Sequence, residues 1–386
     1  MIRHLYVHVP FCLRRCSYCD FAVQAVSAAP TDAWLTAVAR EIALLHDEAP
    51  VLTGSVLDTI YIGGGTPSLI GAAGMNGLRD VLAQSFTWPA AVEWTAEANP
   101  ETLSEDVARG WVDAGVNRLS LGAQTFDANV LRWMGRMHGV DGPGKAVAAA
   151  RAAGITNLSL DLIFGLPARF QRDWSQDLKR LIDLGPDHVS LYGLTAEQAT
   201  PLGRWIAEGR ETLAAEDRYA QEYLLAVERL SAAGYEHYEV SNFARPGLAS
   251  RHNQAYWLDA PYVGLGPGAH SYLPPRRCWN VRDWSEYARR LEESTSPRES
   301  EEQVDAETAG LERTWLGLRT SSGLRLEELA PGQLSRFQEW QQSGLARVSG
   351  NVARLTAEGW LLLDRLVVEL DQLRSGKTAT SRYSAT

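Results

Sequence analysis

The 386 residues are 45% hydrophobic and 22% charged, the balance of a globular chain long enough for about two to three domains. A net charge of −10, from 37 basic and 47 acidic residues, argues against a broad nucleic-acid-binding face. No run of 18 apolar residues occurs, so no membrane-spanning helix is expected, and the opening MIRHLYVHVP is too short an apolar stretch for a secretory signal, which makes the cytoplasm the default location.

The chain opens with a β-branched run, LYVHV (5–9), that Pro10 ends. Three of the four cysteines follow at once, in FCLRRCSYCDF (11–21). TDAWLTAVAREIALLHDE (31–48) has helical periodicity, with Thr31 or Asp32 as its cap. Further strand-like runs recur at LDTIYIGG (57–64), VEWTAEA (92–98), NRLSLGA (117–123), TNLSLDLIF (156–164) and HVSLYGL (188–194), with helical stretches between them such as PGKAVAAARAAG (143–154). This alternation predicts an α/β fold, a parallel sheet with crossover helices forming an open or partial (β/α)6 TIM-like barrel, with the site at the C-terminal strand ends.

The barrel is assigned to 1–235, closing with the amphipathic stretch 214–234. A Gly- and aromatic-rich connecting region follows at 236–300. The charged run 286–305 reads as a linker helix or surface loop. Residues 301–375 suggest a small helical or winged-helix-like domain, and 376–386 a disordered tail.

Cys12, Cys16 and Cys19 form C-x3-C-x2-C directly after the first strand. Thiolates bind soft metals, and a short loop can set three of them around one [4Fe–4S] cluster, leaving one iron without a protein ligand. Structural zinc is the rival, but it wants a fourth ligand, for which His4, His8 and Cys278 are the candidates. Cys278 by itself reads as a buried small hydrophobe.

At the ends of later strands stand YIGGGTP (61–67), whose glycines let backbone N–H groups approach a ligand, and EANP (97–100), GAQ (122–124), Arg136 and DLIFGLP (161–167). Asp161, in an otherwise apolar run, must be hydrogen-bonded or hold a ligand.

C-x3-C-x2-C with Tyr18 before its last cysteine resembles the signature of radical S-adenosylmethionine (SAM) enzymes. The whole series resembles the oxygen-independent coproporphyrinogen dehydrogenases and the related heme chaperones of the HemW type, over roughly residues 3 to 370. The resemblance implies that 1–235 is a radical SAM core and that Cys12, Cys16 and Cys19 hold the cluster. It further implies that Tyr6, Tyr18, Gly64, Gly65, Thr66, Glu97, Gln124, Arg136 and Asp161 contact SAM or a second SAM-like site.

Two features separate the branches. The dehydrogenases carry a fourth cysteine in C-x-C, where this chain has Cys19-Asp20-Phe21, similar to the C-D-F ending of the chaperones. They also carry a segment ahead of the cluster strand, where here only two residues precede Arg3. HNQAYW (252–257) matches the chaperones' H-N-x-x-Y-W motif. It implies heme contact by His252, Tyr256 and Trp257. By side-chain chemistry alone, nearby Arg251 could pair with a propionate, and His237 and His270 are further candidates for heme contact.

The expected function is therefore heme binding and transfer to client hemoproteins, with a flavodoxin- or ferredoxin-like electron donor and peripheral membrane contact as further partners and no nucleic acid. Oxidative decarboxylation of coproporphyrinogen III and a zinc-stabilised interaction protein stand as alternatives.

Overall fold

In the first strand, β1 (His4–Val9), Leu5, Val7 and Val9 are fully buried on one face while Tyr6 and His8 point the other way. The same two-residue alternation repeats in β2 (Thr59–Gly64), β3 (Glu93–Ala98), β4 (Arg118–Gln124), β5 (Asn157–Phe164) and β6 (His188–Gly193). Ile60, Ile62, Leu119, Leu121, Leu158, Leu160 and Leu162 belong to the large apolar core. The opposite set, including Tyr61, Glu97, Ser120 and Asp161, is polar. Closed barrels of this type fill their interior with branched apolar residues. Here the apolar residues serve the helix layer, and the interior is left for polar groups and a cavity.

The computed structural model describes residues 2–48 and 54–375. β1 to β6 pair in sequence order and all in parallel. The helices Thr31–Glu48, Gly71–Ala83, Glu105–Ala114, Gly142–Ala152, Trp174–Asp183 and Glu216–Ala232 lie along the chain between and after them. The expected α/β partial barrel is what the chain forms, and the first expected helix matches its observed bounds.

The sheet does not stop at six strands. An antiparallel hairpin, β7 (Glu236–Glu239) and β8 (Asn242–Ala244), adds to the β6 edge. On the other edge β9 (Tyr262–Leu265) pairs in parallel with β1, followed by antiparallel β10 (His270–Leu273), β11 (Arg276–Asn280) and β12 (Arg298–Gln303), twelve strands in all. The segment read as a connecting region thus extends both edges of the barrel sheet. The charged run read as linker or loop holds the helix Trp284–Glu292 and β12. Its sequence RESEEQ has no apolar alternation because β12 is an edge strand with most side chains in solvent, where charge discourages further pairing.

The C-terminal unit consists of helices Ala306–Arg319, Pro331–Gln342, Ala357–Trp360 and Leu363–Ser375 with a three-stranded antiparallel sheet. It has its own core around Leu318, Phe337, Trp340, Leu366 and Leu370. It docks on the β7–β8 hairpin, where the Val240 N–H donates to the Arg319 carbonyl at 3.1 Å and the Ser321 N–H to the Tyr238 carbonyl at 2.9 Å. The expected tail, 376–386, lies outside the described residues. No helix among the described residues is long and apolar enough to cross a membrane.

Candidate functional site

Strand alternation and loop geometry bring the polar side chains into one cavity of about 740 Å3 at the C-terminal ends of the strands. Pro10 ends β1, and the cysteine loop begins there. Its backbone is tied to the strand-two glycines: Gly65 N–H donates to the Val9 carbonyl at 2.8 Å and Thr66 N–H to the Phe11 carbonyl at 2.7 Å. Gly64 has φ +109°, and a Cβ there would lie 2.5 Å from the His8 ring. At Gly65 a Cβ would lie 2.6 Å from the Phe11 carbonyl oxygen. Only glycine lets these two backbones approach so closely.

Cys12, Cys16 and Cys19 all line this cavity as free cysteines. The Thr66 hydroxyl donates to Cys12 Sγ at 3.3 Å, and the Arg136 guanidinium approaches Cys16 Sγ at 3.9 Å. Burial pushes the Cys12 thiol up to about 11. Among the described residues no three His, Cys, Asp or Glu side chains gather closely enough to hold a single metal ion.

The candidate fourth zinc ligands are engaged or elsewhere. His4 Nδ1 bonds Thr59 Oγ1 at 2.9 Å, His8 bonds through both ring nitrogens, and Cys278 sits buried within β11, outside the cavity lining. Three thiols spread along a cavity wall fit a multi-iron cluster better than a closed tetrahedral site.

The other expected SAM contacts converge here. Tyr6, Tyr18, Gly64, Gly65, Thr66, Glu97, Gln124, Arg136 and Asp161 all line the cavity. Glu97 accepts from the Tyr61 hydroxyl at 2.7 Å and the Gly64 N–H at 3.1 Å. Burial raises its carboxyl to about 7, with the Asp161 charge adding to the rise and these hydrogen bonds opposing it. Asp161 accepts from Ser120 at 3.1 Å and from Ser159 at 3.3 Å, and burial raises it too. Gln124 closes β4 at φ 65° beside a bulge.

Arg136 is fixed by the Gly122 carbonyl at 2.6 Å and by Asn99 Oδ1 at 2.8 Å, and Asn99 Nδ2 donates in turn to Thr66 Oγ1 at 3.1 Å. Asn99 therefore joins the threonine beside Cys12 to the arginine beside Cys16. Sequence reasoning stopped at Glu97 in EANP and missed it, although a polar residue two positions beyond an inward glutamate was a usable signal. Tyr192, also cavity-lining, was missed as well, and His8, weighed only as a zinc ligand, lines the cavity too.

The HNQAYW motif divides. It forms the helix Arg251–Trp257, capped by Ser250 and by Glu93, whose carboxylate accepts the Arg251 and His252 N–H groups at 2.9 Å each. His252 is 1% exposed. Its Nδ1 bonds Thr59 Oγ1 at 2.7 Å and its Nε2 the Tyr256 hydroxyl at 2.9 Å, so no ring nitrogen faces the cavity. This departs from the expectation of an imidazole presented to heme, because the helix turns the histidine inward between β2 and Tyr256.

Tyr256 does line the cavity, and with Tyr262 it also walls a second, aromatic pocket of about 420 Å3 shared with Trp257, Tyr272 and Trp315. Arg251 is exposed, and its guanidinium donates to the Ala91 carbonyl at 2.8 Å. His237 stacks on Phe243 at 3.9 Å, against the C-terminal unit. Phe21 stands at the cavity rim, 61% exposed.

Comparison with known proteins follows the same lines. A sequence profile of the Radical SAM superfamily matches residues 6–181. The chain is 38% identical over 369 residues to the heme chaperone HemW of Mycobacterium tuberculosis, covering 94% of this chain and 93% of that one. It is 33% identical over 374 residues to the heme chaperone HemW of Bacillus subtilis, covering 94% and 97%. Among solved structures, the coproporphyrinogen III oxidase HemN from Escherichia coli, described as a radical SAM enzyme, superposes with a TM-score of 0.81 over 96% of this chain and 90% of that chain at 22% identity, a likeness of fold.

Proposed function

Because this chain belongs to the HemW heme chaperone family within the radical SAM superfamily, we propose that it binds heme and hands it to client hemoproteins, with a [4Fe–4S] cluster and SAM held in the barrel cavity. The observation that carries the reading is the lining of one cavity by Cys12, Cys16 and Cys19 together with the Gly64–Thr66 backbone, Glu97 and Arg136. When bound, the cluster supplies an iron without a protein ligand for the amino and carboxylate groups of SAM, and the electron for reductive chemistry.

The chain's own groups divide the work. Cys12, Cys16 and Cys19 hold the cluster. Thr66 donates toward the first thiolate, and Arg136 sets positive charge beside the second. Asn99 holds both in register. The Gly64 and Gly65 backbone gives close approach to SAM, and Glu97 accepts from its ammonium or ribose. Tyr6, Tyr18, Gln124 and Asp161 complete the walls. Tyr256 and Trp257 offer flat faces to a porphyrin, with His252 positioning Tyr256. A flavodoxin- or ferredoxin-like donor, peripheral membrane contact and a cytoplasmic setting belong to the same proposal.

The test is a hemin titration of the full-length, cluster-reconstituted protein. Heme absorbance saturating at a defined stoichiometry supports the reading, and its absence refutes it. An anaerobic assay with reductant, SAM and coproporphyrinogen III should show no decarboxylation, and turnover would transfer the reading to the dehydrogenases. Loss of the brown iron–sulfur colour in Cys16→Ala separates a cluster from zinc.

A further inference from the structure

A histidine that ligates heme iron must offer an unoccupied ring nitrogen. The chain has eight histidines, and two of them, His8 and His270, line the cavity. His8 gives Nδ1 to the Tyr6 hydroxyl at 2.9 Å and Nε2 to the Ala22 carbonyl at 2.8 Å. His252, in the motif that suggests heme contact, is likewise bonded at both nitrogens and is buried.

His270 differs on each count. It is exposed at the start of β10, where the sheet continues past β1 along the open side of the barrel. Among the described residues no hydrogen bond reaches its ring. The Trp279 ring across the β10–β11 pair stacks on it at 5.7 Å and 24°, which fixes the imidazole plane without using a nitrogen.

The surroundings suit a flat apolar ring with two carboxylates. Phe21 lines the same cavity as His270 and is more than half exposed. Arg14 and Arg15, exposed and without an ion pair among the described residues, and Arg282, held near Phe21 by Asp20, supply cations along the same lining. Burial and the charges of Arg277 and Arg282 lower the His270 pKa, which favours the neutral imidazole that binds iron.

We infer that His270, not His252, is the axial ligand of bound heme, with the macrocycle on the open side of the barrel beside Phe21 and its propionates directed to Arg14, Arg15 and Arg282. The assignment rests on the heme reading above and adds the place and the ligand. Heme would then sit in the same cavity as the cluster loop, within reach of whatever SAM chemistry that cavity supports. His252 keeps a different task, holding Tyr256 in the cavity wall.

The experiment is a hemin titration of full-length, cluster-reconstituted protein, followed by the Soret band and by electron paramagnetic resonance of the ferric form. His270→Ala should weaken binding by about tenfold or more and remove the nitrogen-ligated signature. His270→Gly should regain that signature on adding imidazole, and His270→Tyr should show a tyrosinate-ligated spectrum, a readout that a merely destabilised fold would not give. Arg282→Ala should weaken binding and leave the ligand signature unchanged.

His252→Ala, which frees Tyr256, should lower affinity and leave the nitrogen-ligated signature of the bound heme in place. An unchanged spectrum and affinity in His270→Ala, or loss of the nitrogen signature in His252→Ala alone, would overturn the assignment while leaving the heme reading intact. No heme binding by the wild type would sink both.

Discussion

His252 and Tyr256, one helical turn apart, are hydrogen-bonded to each other at 2.9 Å, and the remaining nitrogen of His252 meets Thr59 at 2.7 Å. The imidazole is thereby a buried joint between β2 and the helix Arg251–Trp257. Removing it leaves the Tyr256 hydroxyl without this partner and opens a void. His252→Ala should destabilise the fold by about 2–4 kcal/mol, checked by urea denaturation. His252→Phe, which keeps the volume but not the bonds, should recover only part of that loss.

Gly64 tests the approach of β2 to β1. Its φ of +109° and a Cβ position 2.5 Å from the His8 ring leave no room for a side chain. Gly64→Ala should cost at least about 1–3 kcal/mol in backbone strain and displace the N–H that Glu97 accepts. SAM binding measured by equilibrium dialysis should fall by about tenfold or more, while hemin binding at the rim should change little.

Glu97 sets a pH dependence in two opposite senses. Burial holds its folded carboxyl at about 7, above its ordinary 4.5. A raised carboxyl favours the folded state while protonated, so its contribution is complete at pH 4.5 and is lost as pH rises through 7. In the proposed role SAM would donate hydrogen bonds to the ionised form, so SAM affinity should rise over the same interval. Binding and thermal melts from about pH 5.5 to 8 should move in opposite directions, and Glu97→Gln should flatten both profiles.

Thr66 donates to Cys12 Sγ, and such hydrogen bonds to cluster sulfurs raise reduction potential by stabilising added negative charge. Thr66→Val should retain the cluster, judged by its visible absorbance, and shift its potential to more negative values in spectroelectrochemical titration. Asn99→Ala, which loosens Thr66 and Arg136 together, should weaken SAM binding more than it moves the potential.

How much of this was legible before folding depended on side-chain periodicity. The runs 5–9, 57–64, 92–98, 117–123, 156–164 and 188–194 announced β1 to β6 because one face of each packs against helices and must be apolar. β12 announced nothing, since an exposed edge strand places no such demand on RESEEQ. β7 to β11 were hidden for a related reason: their short strands are punctuated by glycine and proline turns, and pairing across β1 and β6 is invisible along the chain.

The candidate site shows the same limit. Cysteine spacing, the glycine run after β2 and the carboxylates at strand ends were visible because each is a residue type with few inert uses in that place. Asn99 was not, because an asparagine after a strand reads as a turn until its partners are known.

Residue type and spacing alone determined the cysteine loop, the order of the strand-end groups and the Phe21 position, since thiolate chemistry, glycine's lack of a Cβ and strand alternation are local properties. Only the tertiary structure decided which histidine has a nitrogen to spare. His252 and His270 both stand in motif-like surroundings, but hydrogen-bond occupancy depends on what the fold brings alongside. It brought Thr59 and Tyr256 to the ring nitrogens of His252, and to the ring of His270 the face of Trp279, with no hydrogen-bond partner among the described residues.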